Sequence, residues 1–161
     1  MSDVGARILA ALKTAALDVR DHAPASSAVE AAALRGTALS DGCKAIVMKL
    51  GKDFAVLAFS ADRSIDNRKL RQRLRVRRYR FATEDELAAL TGGLVPGSIP
   101  PFGRPIFDLP LYADATRAAT EWMWFTNASR SQSVRVSVAG WLAVAQPVDV
   151  FDFTRAPVRE G

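Results

Sequence analysis

From Gly92 to Gly103 the chain reads Gly-Gly-Leu-Val-Pro-Gly-Ser-Ile-Pro-Pro-Phe-Gly, four glycines and three prolines in twelve residues. Such a stretch cannot be a helix or a central strand, because proline removes a backbone donor and glycine weakens regular structure. Proline fixes φ at about −65°, while glycine permits positive φ and close backbone approach. The result is a rigid loop with exposed amides. Two readings stand for it: a surface connection, or a cradle that holds a ligand against backbone N–H groups.

The length of 161 residues suits one compact domain over residues 1–161, with a loose tail at 155–161. No apolar run reaches the roughly 18 residues that span a bilayer, and the N-terminus lacks a basic region followed by an apolar core. No membrane association is expected. One cysteine excludes an internal disulfide and makes a cytoplasmic location the default. The net charge of +5 favours a polyanionic partner without specifying one.

Val4, Ile8, Leu9, Leu12 and Leu17 recur at near-helical spacing and predict an amphipathic helix over 4–17. Val19 to His22 reads as a short extended piece before Pro24. Ser27 and Glu30 form a capping-box pattern that opens a helix running to Arg35, where Gly36 stops it. The apolar runs 45–50 and 54–59, separated by Gly51-Lys52-Asp53, predict a hairpin. Asp66 can cap a helix carrying Leu70 and Leu74, and Val76 to Phe81 is a strand candidate. Thr83 and Glu86 form a second capping box, and its helix ends at Gly92. Beyond the glycine-proline loop, strands are predicted at 106–109, 122–125, 133–138 and 148–153, with a short helix at 141–144. Many of these strands are joined by short turns. The pattern argues a single α+β domain with a mixed, mostly antiparallel, barrel-like sheet flanked by helices.

Conventional catalytic sets are mostly absent. A zinc finger needs several Cys or His ligands, and this chain has only Cys43 and His22, wrongly spaced. No metal or other cofactor is expected. Cys43 reads as a small buried side chain or, less naturally, as a nucleophile. There is no phosphate-cradling GxxxxGK[ST] motif and no GxSxG elbow. Lys44 stands at the mouth of an apolar strand, where it is either a snorkelling surface lysine or a fixed positive charge for a phosphate or carbonyl oxygen. Arg68 to Arg80 holds eight of the 22 basic residues and no acid. That run is a solvated face or a phosphate-backbone contact. Trp122, Trp124 and Phe125 are core, or a platform for stacking a base.

In order and spacing, these pieces resemble the YbaK-type, prolyl-tRNA-synthetase-associated family of aminoacyl-tRNA editing domains. Asp21-His22-Ala23-Pro24 with Ser27, Glu30, Ala31 and Ala32 is similar to the family's His-x-Pro stretch and the helix after it. Arg35-Gly36-Thr37 continues that match. Gly42-Cys43-Lys44-Ala45-Ile46-Val47 resembles the segment with the family's functional lysine, and Phe81-Ala82 through Leu87 its Phe-Ala-x-x-x-x-Leu helix start. Gly97 to Pro101, followed by Phe102-Gly103, resembles its Gly-x-x-x-Pro loop and Phe-Gly pair.

The resemblance implies a trans-acting hydrolase that cleaves the ester joining a wrong amino acid to the 3′-terminal adenosine of a mischarged tRNA. It implies catalytic positions at Lys44, Gly97, Ser98 and Pro101, and substrate contacts at His22, Ile99, Phe102, Gly103, Asn127 and Ser129. Arg68, Lys69, Arg71 and Arg73 are the expected tRNA contacts, with an aminoacyl-tRNA synthetase as a second partner and no DNA. An aminoacyl ester is already activated, so positioning and electrostatics can suffice without a nucleophile. Two departures stand out. The 124–127 segment lacks the histidine some members carry, and Ala128 occupies a turn where others have glycine. The amino acid stays open among cysteine, alanine, serine and threonine. Two other readings remain: a non-catalytic tRNA- or RNA-binding module of the same fold, and a small-molecule hydrolase using the same pocket.

Overall fold

The computed structural model describes residues 3–157. Helix α1 (Asp3–Leu12) turns Gly5, Ile8 and Leu12 inward. It stops five residues short of the expected end. Lys13 takes a positive φ of 49°, a single 3-10 turn follows, and Ala16–Asp21 form strand β1. Leu17 then lies 50% exposed on β1, so strand pairing has overridden a helical spacing that local sequence favoured. Helix α2 (Ala28–Arg35) starts where the Ser27 hydroxyl accepts the Glu30 N–H, and Gly36 ends it in the left-handed region. The Glu30 carboxylate accepts from the N–H and hydroxyl of Ser26 rather than from the Ser27 N–H, so the capping is not reciprocal.

Strands β2 (Cys43–Leu50) and β3 (Asp53–Ser60) form the predicted hairpin, with register from Cys43–Ser60 to Leu50–Asp53. Strand β4 (Ser64–Ile65) leads to α3 (Asn67–Leu74), where the Asp66 carboxylate accepts the N–H groups of Arg68 and Lys69. Strand β5 (Tyr79–Phe81) precedes α4 (Glu84–Thr91), whose capping box is complete. The expected strand at 106–109 is instead a turn, with the N–H groups of Ile106 and Phe107 both bonded to the Gly103 carbonyl. Its apolar side chains are buried without sheet pairing, which periodicity cannot distinguish from a strand. The regular elements resume with β6 (Leu111–Asp114), α5 (Ala115–Ala118), β7 (Trp122–Thr126), β8 (Gln132–Ser137), α6 (Val138–Ala145), β9 (Asp149–Phe151) and β10 (Thr154–Arg155). Arg155, expected in a loose tail, pairs with Ser64 in β10, and residues 158–161 lie outside the described residues.

The fold is mixed α+β. One sheet has the order β5-β2-β3-β6-β9, antiparallel except that β3, β6 and β9 run parallel. A second, antiparallel sheet has the order β1-β8-β7, and β10 pairs with β4. Both faces of the five-stranded sheet are covered, so β3 reads as an unbroken apolar run rather than an alternating one. One face joins α1, α6, β7 and β8 in the main core around Val56, Met123, Val134 and Trp141. The other packs Met48, Leu57 and Phe59 against Leu70 of α3 and Phe153.

Candidate active site

The two larger sheets meet where Gly42 bridges Trp124. That junction is held by buried Arg117, which donates to the carbonyls of Ser40 (2.7 Å) and Gly42 (3.0 Å) and to the Thr120 hydroxyl (2.7 Å). Beyond the bridge β2 and β7 part, and β5 joins the same edge of β2 only near Val47 and Met48, which leaves the β2 edge between them open. A cavity of about 260 Å³ lies in the gap, bounded by residues 42–46 on one side and 124–126 on the other. Ala25 just before α2, Ala28 and Ala31 within it, Arg35, Gly97, Ile99 and Arg130 also line it.

Register says which backbone groups face this space. The Val47 carbonyl accepts the Ala82 N–H (2.9 Å), so odd-numbered residues of β2 turn their backbone polar groups away from β3. By the two-residue period, Ala45 presents its N–H and C=O toward the cavity. On β7 the Asn127 N–H bonds the Gln132 carbonyl, so the opposite parity, Thr126, presents its backbone groups toward the same gap. Backbone donors and acceptors thus line the cavity from both sides.

Lys44 sits at the rim, its ammonium 4.9 Å from the centroid of the Phe59 ring. Burial pushes its pKa below the usual lysine value, opposed by the negative charge of Asp62. Arg35 lies deeper. Burial likewise lowers its pKa, against Asp41, and its guanidinium donates to the Ser133 hydroxyl (3.2 Å) and lies 5.7 Å from the Trp124 ring. Cys43 is buried, and loss of solvent raises its thiol to about 12, with the Arg117 charge opposing. A thiol held neutral to that degree is no nucleophile at neutral pH.

The glycine-proline loop reaches the cavity at two points. Gly97 adopts φ +86°, which an L side chain resists, and Arg130 donates to the neighbouring Pro96 carbonyl (2.8 Å). Ile99 supplies an apolar side chain to the wall. Of the predicted positions, Lys44, Gly97 and Ile99 therefore converge on one space. The others lie elsewhere. The Ser98 hydroxyl is spent on the Val95 carbonyl (2.7 Å), and the Pro101 carbonyl accepts Trp141 Nε1 (2.8 Å). Phe102 is core, edge-on to Phe125, and a Cβ on Gly103 would run into the Leu109 carbonyl oxygen. Asn127 is buried and donates to Gln132 Oε1 (2.8 Å), while Ser129 pairs with Ser131 (3.0 Å).

His22 stands outside the cavity wall yet is tied to it. Its Nδ1 faces the Ala23 carbonyl (2.8 Å), which can only accept, so Nδ1 carries the proton. In the neutral ring Nε2 then accepts from Ser133 (2.8 Å), and Ser133 in turn accepts from Arg35. Ala128 occupies the left-handed region at φ 57°, so the turn that favours glycine is kept without one. Among the described residues, no group of three or more His, Cys, Asp or Glu side chains is placed to hold a metal ion. Nor is any helix there long and apolar enough to cross a membrane.

The family model of the aminoacyl-tRNA editing domain matches residues 22–144, well over half of the chain. The chain belongs to the aminoacyl-tRNA editing domain family. Its fold is similar to that of a proposed trans-editing enzyme for prolyl-tRNA synthetase, at 25% identity and a TM-score of 0.78, over 97% of this chain and 99% of that one. A scaffold protein used to present linear epitopes is 23% identical with a TM-score of 0.79, over 97% and 99% of the two chains. A hypothetical protein is 18% identical with a TM-score of 0.79, over 95% and 100%. These last two likenesses show the fold alone. No curated protein matches the sequence.

In this editing domain the cavity also draws on residues that spacing did not single out as a site: Arg35, Thr126, Arg130 and the α2 alanines. Arg35 was visible as the end of a helix and as part of the Arg35-Gly36-Thr37 match, but no local signal assigns a role that depends on β7 and β8 folding over it. The expected tRNA contacts divide in two. Lys69 and Arg73 are engaged with Asp152 (2.8 Å) and Asp149 (2.9 Å) near β9 and β10. Arg71 lies 5.0 Å over the Tyr79 ring on the β5 side, and Arg68 is exposed at the start of α3.

Proposed function

We propose that this chain is a trans-acting aminoacyl-tRNA deacylase that removes a small, wrongly attached amino acid from the 3′ end of a tRNA. The observation that carries the reading is the convergence of Lys44 and the Gly97–Ile99 loop on one small cavity in a chain of the editing family. A space of about 260 Å³ walled by alanines accepts a short side chain and turns away a bulky one.

The division of labour follows from the residues. Lys44 supplies a compact positive charge at the rim, suited to the terminal phosphate or to the carbonyl oxygen of the ester. Backbone N–H groups bordering the cavity stabilise negative charge that develops on that oxygen as water adds. The water oxygen bonds to the carbonyl carbon, the ester C–O bond breaks, and the proton lost by water ends on the departing ribose oxygen. The resemblance to the editing family implies that the adjacent ribose hydroxyl of the substrate helps to order the water. Positioning does most of the work on an ester this reactive.

The test is hydrolysis of tRNA-Pro charged with alanine, cysteine, serine or threonine, by wild type and Lys44→Ala side by side. Wild type is expected to clear at least one ester, and Lys44→Ala to lose about a hundredfold in rate with an unchanged melting temperature. Turnover that survives the substitution removes Lys44 from the mechanism. Salt-sensitive binding of the tRNA with no turnover makes the chain a binding module instead.

A further inference from the structure

The cavity does not end at Lys44. Lys44 and Ile46 also border a second hollow of about 590 Å³, which runs over Phe59 and Ile65 to Phe81. Tyr79 and Arg80, at its far end, border a third hollow of about 580 Å³ along with Lys49, Arg71, Arg77 and Arg78. Shared lining residues, Lys44 and Ile46 at one junction and Tyr79 and Arg80 at the other, place the three spaces side by side along β2 and across β5. From Lys44 to Met48, which pairs with Phe81, the strand advances about 13 Å.

The two ends of the track differ in chemistry. Phe81 is 65% exposed, an aromatic face open to solvent on a three-residue strand. The outer hollow is lined by five cations and no carboxylate. Of these, Arg80 is neutralised by Glu86, through contacts of 2.6 and 3.0 Å. Lys49, Arg71, Arg77 and Arg78 form no ion pair among the described residues. An open aromatic plane followed by unneutralised cations suits a single-stranded nucleic acid, whose bases offer π-faces and whose backbone offers phosphates. A duplex keeps its base faces stacked and would leave Phe81 unused. An acidic peptide would satisfy the cations, but only a nucleotide brings a planar base with every phosphate.

We infer that this track carries the single-stranded 3′ end of an RNA, with an unstacked base on Phe81 and upstream phosphates on Lys49, Arg71, Arg77 and Arg78, so that the terminal nucleotide arrives at Lys44. The inference rests on the reading that the cavity takes an aminoacylated RNA end. It moves the main RNA contact from the α3 face that holds Lys69 and Arg73 to β5 and the turn before it.

The experiment has two arms. In the first, binding of a fluorescent single-stranded RNA ending in CCA is followed by anisotropy across a salt series. Phe81→Ala should weaken it about tenfold, and Phe81→Trp should restore it. The double variant Arg77→Ala, Arg78→Ala should lower the slope of log affinity against log salt by about 1.4. In the second arm, kcat/KM is compared on mischarged tRNA and on a 3′-aminoacyl-adenosine that carries no upstream nucleotide. Phe81→Ala should lose about tenfold on the first and nothing on the second. Wild-type affinity in Phe81→Ala, or equal loss on both esters, overturns the inference. Phe81-dependent RNA binding without hydrolysis of any ester upholds the track while refuting the deacylase reading. Phe81 is exposed, so its substitution leaves the fold intact.

Discussion

Cys43 shows how a single side chain is set by its surroundings. Its thiol is raised from 9.0 to about 12, first by burial, with Arg117 opposing and Asp114 assisting. Two outcomes follow. Iodoacetamide at pH 8 should leave native Cys43 unmodified and label it fully in urea, read by intact mass. The folded state also holds the thiol proton more tightly than the unfolded chain does, so stability is lost as pH rises from about 9 toward 12. Urea unfolding at pH 8 and pH 10 should show that fall in wild type and a smaller one in Cys43→Ala. Ala128 is a second local conflict. An L residue at φ 57° is strained, and nothing about alanine relieves it. Ala128→Gly should raise stability by about 1 kcal/mol in urea melts. A loss would mean that the extra freedom of the unfolded glycine chain outweighs the relief.

At the scale of elements, α4 is the best specified. Thr83 accepts the Glu86 N–H (3.1 Å), Glu86 accepts the Thr83 N–H (2.9 Å), and the same carboxylate pairs with Arg80. Thr83→Ala should cost about 1 kcal/mol, measured by chemical denaturation. The Arg80 hydrogen bond, helped by the Thr83 N–H, holds Glu86 down at about 2 from a usual 4.5. The sign is that of a depressed acid: its contribution is present above pH 4.5 and lost as pH falls toward 2. Melting temperatures of wild type and Glu86→Gln should therefore differ at pH 6 and converge near pH 2. The α3 helix illustrates the other half of the element scale. Its basic residues alternate between two sides, so one charge run yields carboxylate pairs at Lys69 and Arg73 and an aromatic contact at Arg71.

The whole molecule turns on the seam where β2 meets β7. Arg117 reaches from α5 to the carbonyls of Ser40 and Gly42, which fixes the start of β2 and with it Lys44. Asp114 holds the start of β10 in the same way, through the Phe153 N–H (3.0 Å) and the Thr154 hydroxyl (3.0 Å). Arg117→Leu takes this donor from the Ser40 carbonyl and leaves the Gly42 carbonyl with the Ala61 N–H alone, and it should destabilise the fold by about 3 kcal/mol in urea. Deacylation should also fall at temperatures where the variant is still folded. Unchanged activity there would show that the cavity does not depend on the seam.

Local elements were legible wherever their specification is local. The Ser27, Asp66 and Thr83 caps and the hairpin about Gly51-Lys52 depend on neighbours within a few residues, and all formed, while the strand expected at 133–138 alternates only from Val134 to Ser137, with Ser133 buried and Val138 in α6. The helix through Leu17 and the strand at 106–109 did not, because in both places burial or pairing with distant chain overruled an ambiguous apolar pattern. The site divides the same way. Lys44 and Gly97 could be named as candidates from sequence, because each falls in a short motif that resembles the editing family. Arg35, Thr126 and the α2 alanines are ordinary until β2 and β7 part and leave a space between them. By itself the sequence determined the caps, the turns and the stiff loop, since those rest on short-range sterics and hydrogen bonds. Only the tertiary structure decided which of these pieces share a cavity, since that depends on where two sheets join and which way their backbone groups face.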